Sequence, residues 1–352
     1  MAYTTIDNPE LYFQIKLYTG NGTDDTAITL DGAEDMAPNF VWIRKRNATE
    51  DFVLFDTVRG ATKYIKSNSN AAEATDTGSL KSFDSDGFTL GTAGRSNNNT
   101  NTYVAWCWKA GTTSGISGSA DITPSAYSIS QAAGMSIIKY TGSTGATRTV
   151  LHGLGAAPDM IFIKMLDGGT NGWIVGGNNI TSNWGGVLVL NNTAATFTNA
   201  YFGGAVPNST TFSISNTSEV NSANTHIAYC FRSIQSYSKF GSYIGNANVN
   251  GPFVHLGFKP AWVMIKEASA TSGWILHNDK MNDNINPMQN FLQPNEQGVE
   301  SDNANLAVDF LSNGFKVRND KGDTNTSGST MIYMAFAEAP LVNSNGVPCT
   351  AR

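Results

Sequence analysis

The apolar residues of this chain fall in short runs separated by segments rich in Gly, Asn, Ser and Thr. The runs are built mainly from Val, Ile, Phe, Tyr, Trp and Thr, the residue types that favour β-strands. No long segment shows the 3.6-residue period of an amphipathic helix. The pattern therefore predicts an all-β protein.

The same order of apolar runs and turns occurs three times along the chain. Each copy starts with a strand that ends in Tyr before a Gly-containing turn, at Tyr18, Tyr140 and Tyr243. A proline, an apolar run and a basic residue follow, in Pro38-Asn39-Phe40-Val41-Trp42-Ile43-Arg44, Pro158-Asp159-Met160-Ile161-Phe162-Ile163-Lys164 and Pro260-Ala261-Trp262-Val263-Met264-Ile265-Lys266. A closing strand ends each copy, and alignment on Ala105, Ala228 and Ala335 gives spacings of 123 and 107 residues. Such a period matches a complete small domain rather than a solenoid turn.

We therefore predict three tandem antiparallel β-sandwich domains, jelly-roll-like in kind. The predicted division is an N-terminal arm (1–14), repeat 1 (15–117), a linker (118–134), repeat 2 (135–235), repeat 3 (236–340) and a C-terminal tail (341–352). The junction between repeats 2 and 3 is short, so these two domains should pack closely.

Two strand patterns predict how the domains pack. Residues 40–43 are apolar on both faces of a strand, so one face belongs to a sandwich core and the other meets a long loop, a neighbouring repeat or another subunit. The closing strand has a face of small residues, Ala105 and Cys107 in the first copy, and a face of large residues such as Trp106 and Trp108. Small residues allow a second layer to approach closely.

The charge of the chain argues against some classes of function. The chain of 352 residues has a net charge of −6, and only 14% of its residues are charged. A nucleic-acid binder carries a basic stripe, whereas the one compact basic group here is Arg44, Lys45 and Arg46, which we interpret as local. There is no run of 18 apolar residues, so we expect no membrane insertion, and Asp7 and Glu10 argue against a signal peptide. The sparse, odd set of three cysteines suggests folding in a reducing cytoplasm.

No catalytic or metal-binding constellation is evident, so we predict no enzyme activity, metal or cofactor. Cys107 and Cys230 occupy the same position in their copies, and the third copy is aligned there with Ala337, which indicates a small buried residue. Cys349 lies in the tail. The four histidines, His152, His226, His255 and His277, lack the spacing of a helical zinc site, and the alignment of His226 with Tyr103 and Tyr333 suggests packing.

Two further features leave alternatives open. Asp84 and Asp86 are two residues apart on one strand face, as a glycosidase pair could be, but the Asp-Gly turn also accounts for Asp86. Trp184 has no aromatic counterpart in the other copies, so Trp184 with Asn183 is our candidate for an exposed glycan contact. The alternative for Trp184 is a plug in the doubly covered side of repeat 2.

Several motifs resemble one family along the whole chain and in the same order. They are Met1-Ala2-Tyr3-Thr4-Thr5-Ile6, Tyr18-Thr19-Gly20-Asn21-Gly22, Phe40-Val41-Trp42-Ile43, Phe55-Asp56-Thr57-Val58-Arg59-Gly60, Ala105-Trp106-Cys107-Trp108-Lys109-Ala110, Tyr237-Ser238-Lys239-Phe240-Gly241-Ser242-Tyr243 and Gly346-Val347-Pro348-Cys349-Thr350-Ala351-Arg352. Together they resemble virion-associated proteins of marine tailed phages that infect cyanobacteria and other ocean bacteria. Cys349 departs from the ending expected for that family.

The resemblance implies a place on a virion, as a structural protein, tail fibre or knob, assembled in the host cytoplasm. We therefore predict a non-enzymatic virion component displayed outside the capsid or tail and active in host attachment. Its expected partners are other virion proteins, further copies of the chain in a homotrimer, and a host surface glycan or receptor. The alternatives are a carbohydrate-binding module and a glycan-degrading enzyme.

Overall fold

The computed structural model describes residues 3–349. It confirms the all-β prediction, because antiparallel strands form every main sheet and the helices in the described residues have three or four residues each. The strands fall into three consecutive groups, which we call modules 1, 2 and 3. The five predicted boundaries between the segments stay a prediction, and the outer ends of the first and last segments fall on residues outside this range.

Module 1 forms a six-stranded sheet in the order β1-β9-β3-β4-β5-β6 and a three-stranded sheet in the order β2-β8-β7. A 3-10 turn, Pro9–Leu11, precedes it. Its elements are β1 (Phe13–Thr19), β2 (Thr26–Ile28), β3 (Phe40–Lys45), β4 (Val53–Asp56), β5 (Lys63–Lys66), β6 (Ala74–Thr75), β7 (Leu80–Asp84), β8 (Gly87–Leu90), α1 (Gly94–Asn97) and β9 (Thr102–Trp108).

Module 2 forms a seven-stranded sheet, β10-β11-β18-β13-β14-β15-β16, and a two-stranded sheet, β12-β17. Its elements are β10 (Ala126–Ser130), β11 (Met135–Thr141), β12 (Arg148–Leu151), β13 (Met160–Met165), β14 (Ile174–Gly177), β15 (Gly186–Val189), β16 (Phe197–Thr198), β17 (Thr211–Ile214), α2 (Ser218–Asn221) and β18 (Thr225–Phe231).

Module 3 forms a four-stranded sheet, β19-β27-β21-β22, a three-stranded sheet, β20-β26-β25, and a two-stranded sheet, β23-β24. Its elements are β19 (Ser238–Ile244), β20 (Phe253–His255), β21 (Phe258–Glu267), β22 (Trp274–Asn278), β23 (Asn290–Phe291), β24 (Ser301–Asp302), β25 (Val308–Leu311), β26 (Gly314–Val317), α3 (Gly322–Asn325) and β27 (Thr330–Pro340), with 3-10 turns at Lys280–Asn282 and Ala304–Leu306.

The same strand pairing recurs in the three main sheets. The closing strand lies between the strand with the repeated Tyr (Tyr18, Tyr140 or Tyr243) and the strand with the apolar run and basic residue, in β1-β9-β3, β11-β18-β13 and β19-β27-β21. The turn after each first strand is also the same: Tyr18, Tyr140 and Tyr243 each donate a hydroxyl hydrogen bond to a carbonyl of the short helix, at 2.8, 2.8 and 2.6 Å. The next glycine lies against the end of that helix. A Cβ on Gly20, Gly142 or Gly245 would come within 2.3, 2.1 or 2.2 Å of a carbonyl oxygen, so only glycine fits there.

The register corrects one alignment from the sequence. Trp42 pairs with Trp106, Phe162 with Tyr229 and Met264 with Met334, so Cys107 and Cys230 correspond to Ala335 and not to Ala337. By the same register His226 corresponds to Tyr103 and Met331, and not to Tyr333. A shift of two residues leaves every side chain on the same face of a strand, so the alternation of small and large residues cannot reveal it.

The large faces of the three closing strands share one central core. Trp106 and Trp108, Tyr229 and Phe231, and Met334 and Phe336 belong to a single buried cluster. The ring of Phe336 lies 5.5 Å from Trp108 of module 1, 6.1 Å from Phe231 of module 2 and 5.8 Å from Trp262 of its own module, measured between centroids. The second apolar face of these strands is therefore covered by the neighbouring modules.

The small faces contribute to separate outer cores. Cys107 packs in a cluster with Phe88 and Leu90 of the second sheet of module 1, and Cys230 packs in the corresponding cluster of module 2. Ala335 lies with Phe315 in module 3. Each module is therefore a two-layer sandwich whose main sheet also faces the shared centre.

Loops connect the modules in a closed ring. The backbone N–H of Glu73 donates to the carbonyl of Leu166, that of Thr196 to Ala268 and that of Glu300 to Arg46, each at 2.8 Å. Module 1 thus contacts module 2, module 2 contacts module 3, and module 3 contacts module 1 at equivalent positions.

The predicted linker and the N-terminal arm both pack on the modules. Part of the predicted linker is a strand, because β10 pairs with β11 along its whole length and continues the sheet of module 2. The alternation of Tyr127 and Ile129 with serines, hidden in a polar segment, supports that strand. The arm is docked on the modules: Thr4 and Ile6 are buried, and Asp7 accepts a hydrogen bond from the Ser344 backbone at 2.6 Å.

Candidate functional site

A buried charged cluster joins modules 1 and 2. The side chains of Asp56 and Arg59 form an ion pair at 2.5 Å, and the hydroxyl of Tyr229 donates to Asp56 at 2.6 Å. The backbone N–H groups of Val58 and Arg59 donate to the other carboxylate oxygen at 3.0 and 2.8 Å. Burial disfavours the charged guanidinium, but the charge of Asp56, the phenol of Tyr229, the hydrogen bond to Asp56 and the charge of Glu73 together outweigh burial and raise the pKa of Arg59. All the partners are supplied within the chain, so the cluster stabilises the contact between the modules.

The basic group at residues 44–46 also contributes to a contact between two modules. The buried guanidinium of Arg44 donates to the carbonyl of Gln297 at 2.7 Å and to that of Gly298, and Arg46 forms an ion pair with Glu300 at 2.5 Å. Lys45 pairs with Glu50 at 3.1 Å. The contacts of Arg44 and Arg46 hold the loop of module 3 on module 1, whereas that of Lys45 lies within module 1.

Trp184 is not exposed, and our interpretation of it as a glycan contact is wrong. Its side chain is 0% exposed and packs edge-to-face on Phe202, with ring centroids 5.1 Å apart. Its indole N–H donates to Asn178 at 2.7 Å. Asn183 is exposed, and its side-chain oxygen accepts the backbone N–H of Gly185 at 3.0 Å, which closes the turn that places Trp184 inside. Trp184 is therefore a buried plug, as in the alternative interpretation, and it lies in the outer core of module 2.

Hydrogen bonds from nearby residues of module 1 satisfy both aspartates of the pair Asp84 and Asp86. Asp84 accepts hydrogen bonds from the hydroxyls of Ser82 and Thr89, both at 2.7 Å, and Asp86 accepts the backbone N–H of Met36 at 3.2 Å. Both aspartates hold the β7–β8 turn, which is the turn interpretation of this motif.

The thiols behave as expected from their strand positions. Cys107 and Cys230 are buried, and burial raises the pKa of Cys230 to about 12 and that of Cys107 even further. Cys349 is exposed. Three of the histidines are buried, and burial lowers the pKa of His277 to about 4. Within residues 3–349, no group of three or more His, Cys, Asp or Glu side chains could hold a metal ion.

Three surface cavities of about 470, 500 and 510 Å³ are large enough for a small ligand. The first lies beside the segment around residues 112–117 and has no charged or aromatic lining residue. The second contains the ion pair between Lys259 and Glu338, whose charges already neutralise each other at 2.5 Å.

The third, which we call the arm cleft, lies where segments outside the repeats meet. The arm (Tyr3), the junction between modules 2 and 3 (233–240), the turn at His255 and Gly257, and residues 341–342 line it. Its side-chain groups are serine hydroxyls, the amide of Gln235, the phenol of Tyr3, the imidazole of His255 and the ammonium of Lys239. Tyr3 is 58% exposed. The arm cleft is our candidate functional site, because it combines an exposed aromatic ring with convergent polar groups.

Sequence reasoning did not identify these residues. None belongs to a chemical motif, and they come from parts of the chain more than 300 residues apart. The available signal was that Tyr3 and Gln235 lie outside the threefold pattern, whereas Lys239 lies in the first strand of repeat 3.

In the described part of the chain, no helix is long and apolar enough to span a membrane. No curated protein matches the chain. The model of one family, described as Domain of unknown function (DUF7483), matches residues 8–340 and so covers all three modules as one unit. The chain belongs to this family.

Proposed function

We propose that the protein is a non-enzymatic structural component of a phage virion, displayed outside the capsid or tail and used in host attachment. The resemblance of its motifs to virion proteins of marine tailed phages supports this. The observation that carries the proposal is the central core: in all three modules the large aromatic residues hold the modules together. A single-chain ring of three sandwiches suits a rigid display element.

The test uses antibodies raised against the purified chain and intact phage particles. Immunogold labelling should decorate the outside of the capsid or tail, and Fab fragments should reduce adsorption of the phage to its host. A chain that is found in infected cells but not on purified particles would contradict the proposal. The homotrimer stays a prediction. Neighbouring modules of the same chain cover the second apolar face of the strands, so this face does not require another subunit.

A carbohydrate-binding module is the second candidate function. The arm cleft favours it, because hydroxyl and amide groups beside an exposed tyrosine are suited to sugar hydroxyls and to the apolar face of a sugar ring. A glycan-degrading enzyme is the third. If reducing sugar is released from host polysaccharide, and if Asp84→Asn or Asp86→Asn abolishes the release, the non-enzymatic proposal is wrong.

A further inference from the structure

We propose that the arm cleft binds a saccharide that carries an acidic group. This inference deepens the proposed function and rests on it, since it assigns the ligand class through which attachment occurs. The cleft volume of about 510 Å³ lies within the range of small-molecule sites, roughly 300–1,000 Å³.

The neutral part of the lining fits sugar hydroxyls. Ser233 is exposed and offers a hydroxyl, and Gln235 is exposed and offers both a donor and an acceptor. Ser236 and Ser238 are buried, and their hydroxyls donate to the carbonyls of Tyr3 and Arg232. The exposed ring of Tyr3 supplies a flat surface on which the C–H face of a pyranose packs.

The charge of the lining favours an acidic sugar. Among residues 3–349, Lys239 is the one lysine or arginine that lines the cleft, and none of their Asp or Glu residues lines it, although the chain as a whole has a net charge of −6. The ammonium of Lys239 donates to the carbonyl of His255 at 2.6 Å. An ammonium has three donors, so this contact fixes its position and leaves others for a carboxylate or sulfate.

The cleft is preformed. Thr4, next to Tyr3, is 2% exposed, and its hydroxyl donates to the carbonyls of Ile6 at 3.0 Å and Gln235 at 3.2 Å. Ser236 has a positive φ of 64° and is buried at the junction, where its hydroxyl approaches the carbonyl of Tyr3 at 3.5 Å. A ligand therefore does not have to order these segments on binding.

The location agrees with a binding role. The repeated positions of the three modules are mostly occupied by packing residues, whereas the arm, residues 233–237 of the junction and residues 341–342 lie outside the repeated strands. Lys239 is the second residue of the strand β19. A site that belongs to the whole molecule rather than to each module arises where these segments meet.

The experiment measures binding of the full chain to oligosaccharides of equal length by isothermal titration calorimetry. The probes are an oligomannuronate with carboxylates, an oligocarrageenan with sulfate esters, a neutral laminari-oligosaccharide, and sodium sulfate alone. We expect one acidic oligosaccharide to bind at least tenfold more tightly than the neutral one and sodium sulfate alone not to compete. Which acidic probe binds distinguishes a carboxylate from a sulfate ligand.

Variants locate the site. Lys239→Gln should reduce affinity for the acidic oligosaccharide about tenfold and leave the neutral one unchanged, whereas Tyr3→Ala should weaken both. Lys321→Gln, an exposed lysine outside the cleft, is the matched control and should change neither. Thermal unfolding of each variant reports whether it is folded, and Gln at position 239 retains a donor for the His255 carbonyl.

Three outcomes would overturn the inference: no binding of any oligosaccharide, equal affinity for neutral and acidic oligosaccharides, and an equal loss of affinity in the Lys321→Gln control. Its failure is distinguishable from failure of the proposed function. If Fab fragments block adsorption but no oligosaccharide binds, attachment stands and the saccharide assignment is wrong. If an acidic oligosaccharide binds but the chain is not on the particle, the virion proposal is wrong.

Discussion

At the scale of single residues, Asp279 is a buried carboxyl without enough partners. It is 2% exposed, and its Oδ1 atom has no hydrogen-bond partner within residues 3–349. It borders a small cavity of about 50 Å³ between modules 1 and 3, together with Glu338. Burial, and then the charge of Glu338, raises the pKa of Asp279 to about 7.

This pKa predicts a pH-dependent stability. A carboxyl whose pKa is higher in the folded state stabilises the fold below its unfolded pKa, and this stability is lost as pH rises towards 7. Asp279→Asn removes the titration, so the variant should gain on the order of 2–4 kcal/mol relative to wild type at pH 8. At pH 4 the two proteins should differ little.

Urea unfolding at pH 4, 6 and 8 checks this. Module 2 has Asn178 at the equivalent position, where its backbone N–H donates to Asp159 as that of Asp279 donates to Ala261, so asparagine suits this backbone. A stability difference between the two proteins that does not change with pH would show that Asp279 is ionised in the folded state.

At the scale of elements, loop clasps hold neighbouring modules together. The indole N–H of Trp173 in module 2 donates to the carbonyl of Lys66 in module 1 at 2.8 Å, and that of Trp274 in module 3 donates to Val189 in module 2 at 3.1 Å. Trp173→Phe leaves a part-buried carbonyl without its donor. By contrast, Trp106 lies in the same central core, and its indole N–H has no hydrogen-bond partner in the described part of the chain, so Trp106→Phe breaks no such hydrogen bond and loses only volume.

Trp173→Phe should therefore destabilise the protein more than Trp106→Phe, by about 1–3 kcal/mol. Chemical denaturation of both variants measures the difference, since each removes the same atoms from a fully buried tryptophan. Equal costs would mean that the clasp contributes nothing beyond packing.

The elements also show how far sequence reasoning reaches. Strands such as β3 and β9 could be predicted, because their apolar runs recur in each module. Strand β10 was missed, since its alternation lies within a Gly and Ser segment. The shift of two residues in β27 preserves side-chain faces and leaves no trace in the pattern. The candidate site was beyond prediction because its residues meet through the docking of the arm, which the local pattern does not encode.

At the scale of the whole molecule, the shared central core couples the three modules. A fragment of residues 118–235 would expose Phe162, Tyr229 and Phe231 to water, although all three are at most 5% exposed in the full chain. Full burial of such a side chain contributes roughly 1.5–3 kcal/mol, so the separated module loses stability comparable to that of an entire small domain.

We therefore expect the full chain to unfold in one cooperative transition and the fragment of residues 118–235 to be unfolded or aggregated. Calorimetry of the full chain and circular dichroism of the fragment test this. A natively folded fragment with the thermal midpoint of the full chain would show that the outer core, which contains Trp184, suffices to stabilise the module. The ring would then be an arrangement of independent sandwiches, and variants in the central core would shift the modules apart without unfolding them.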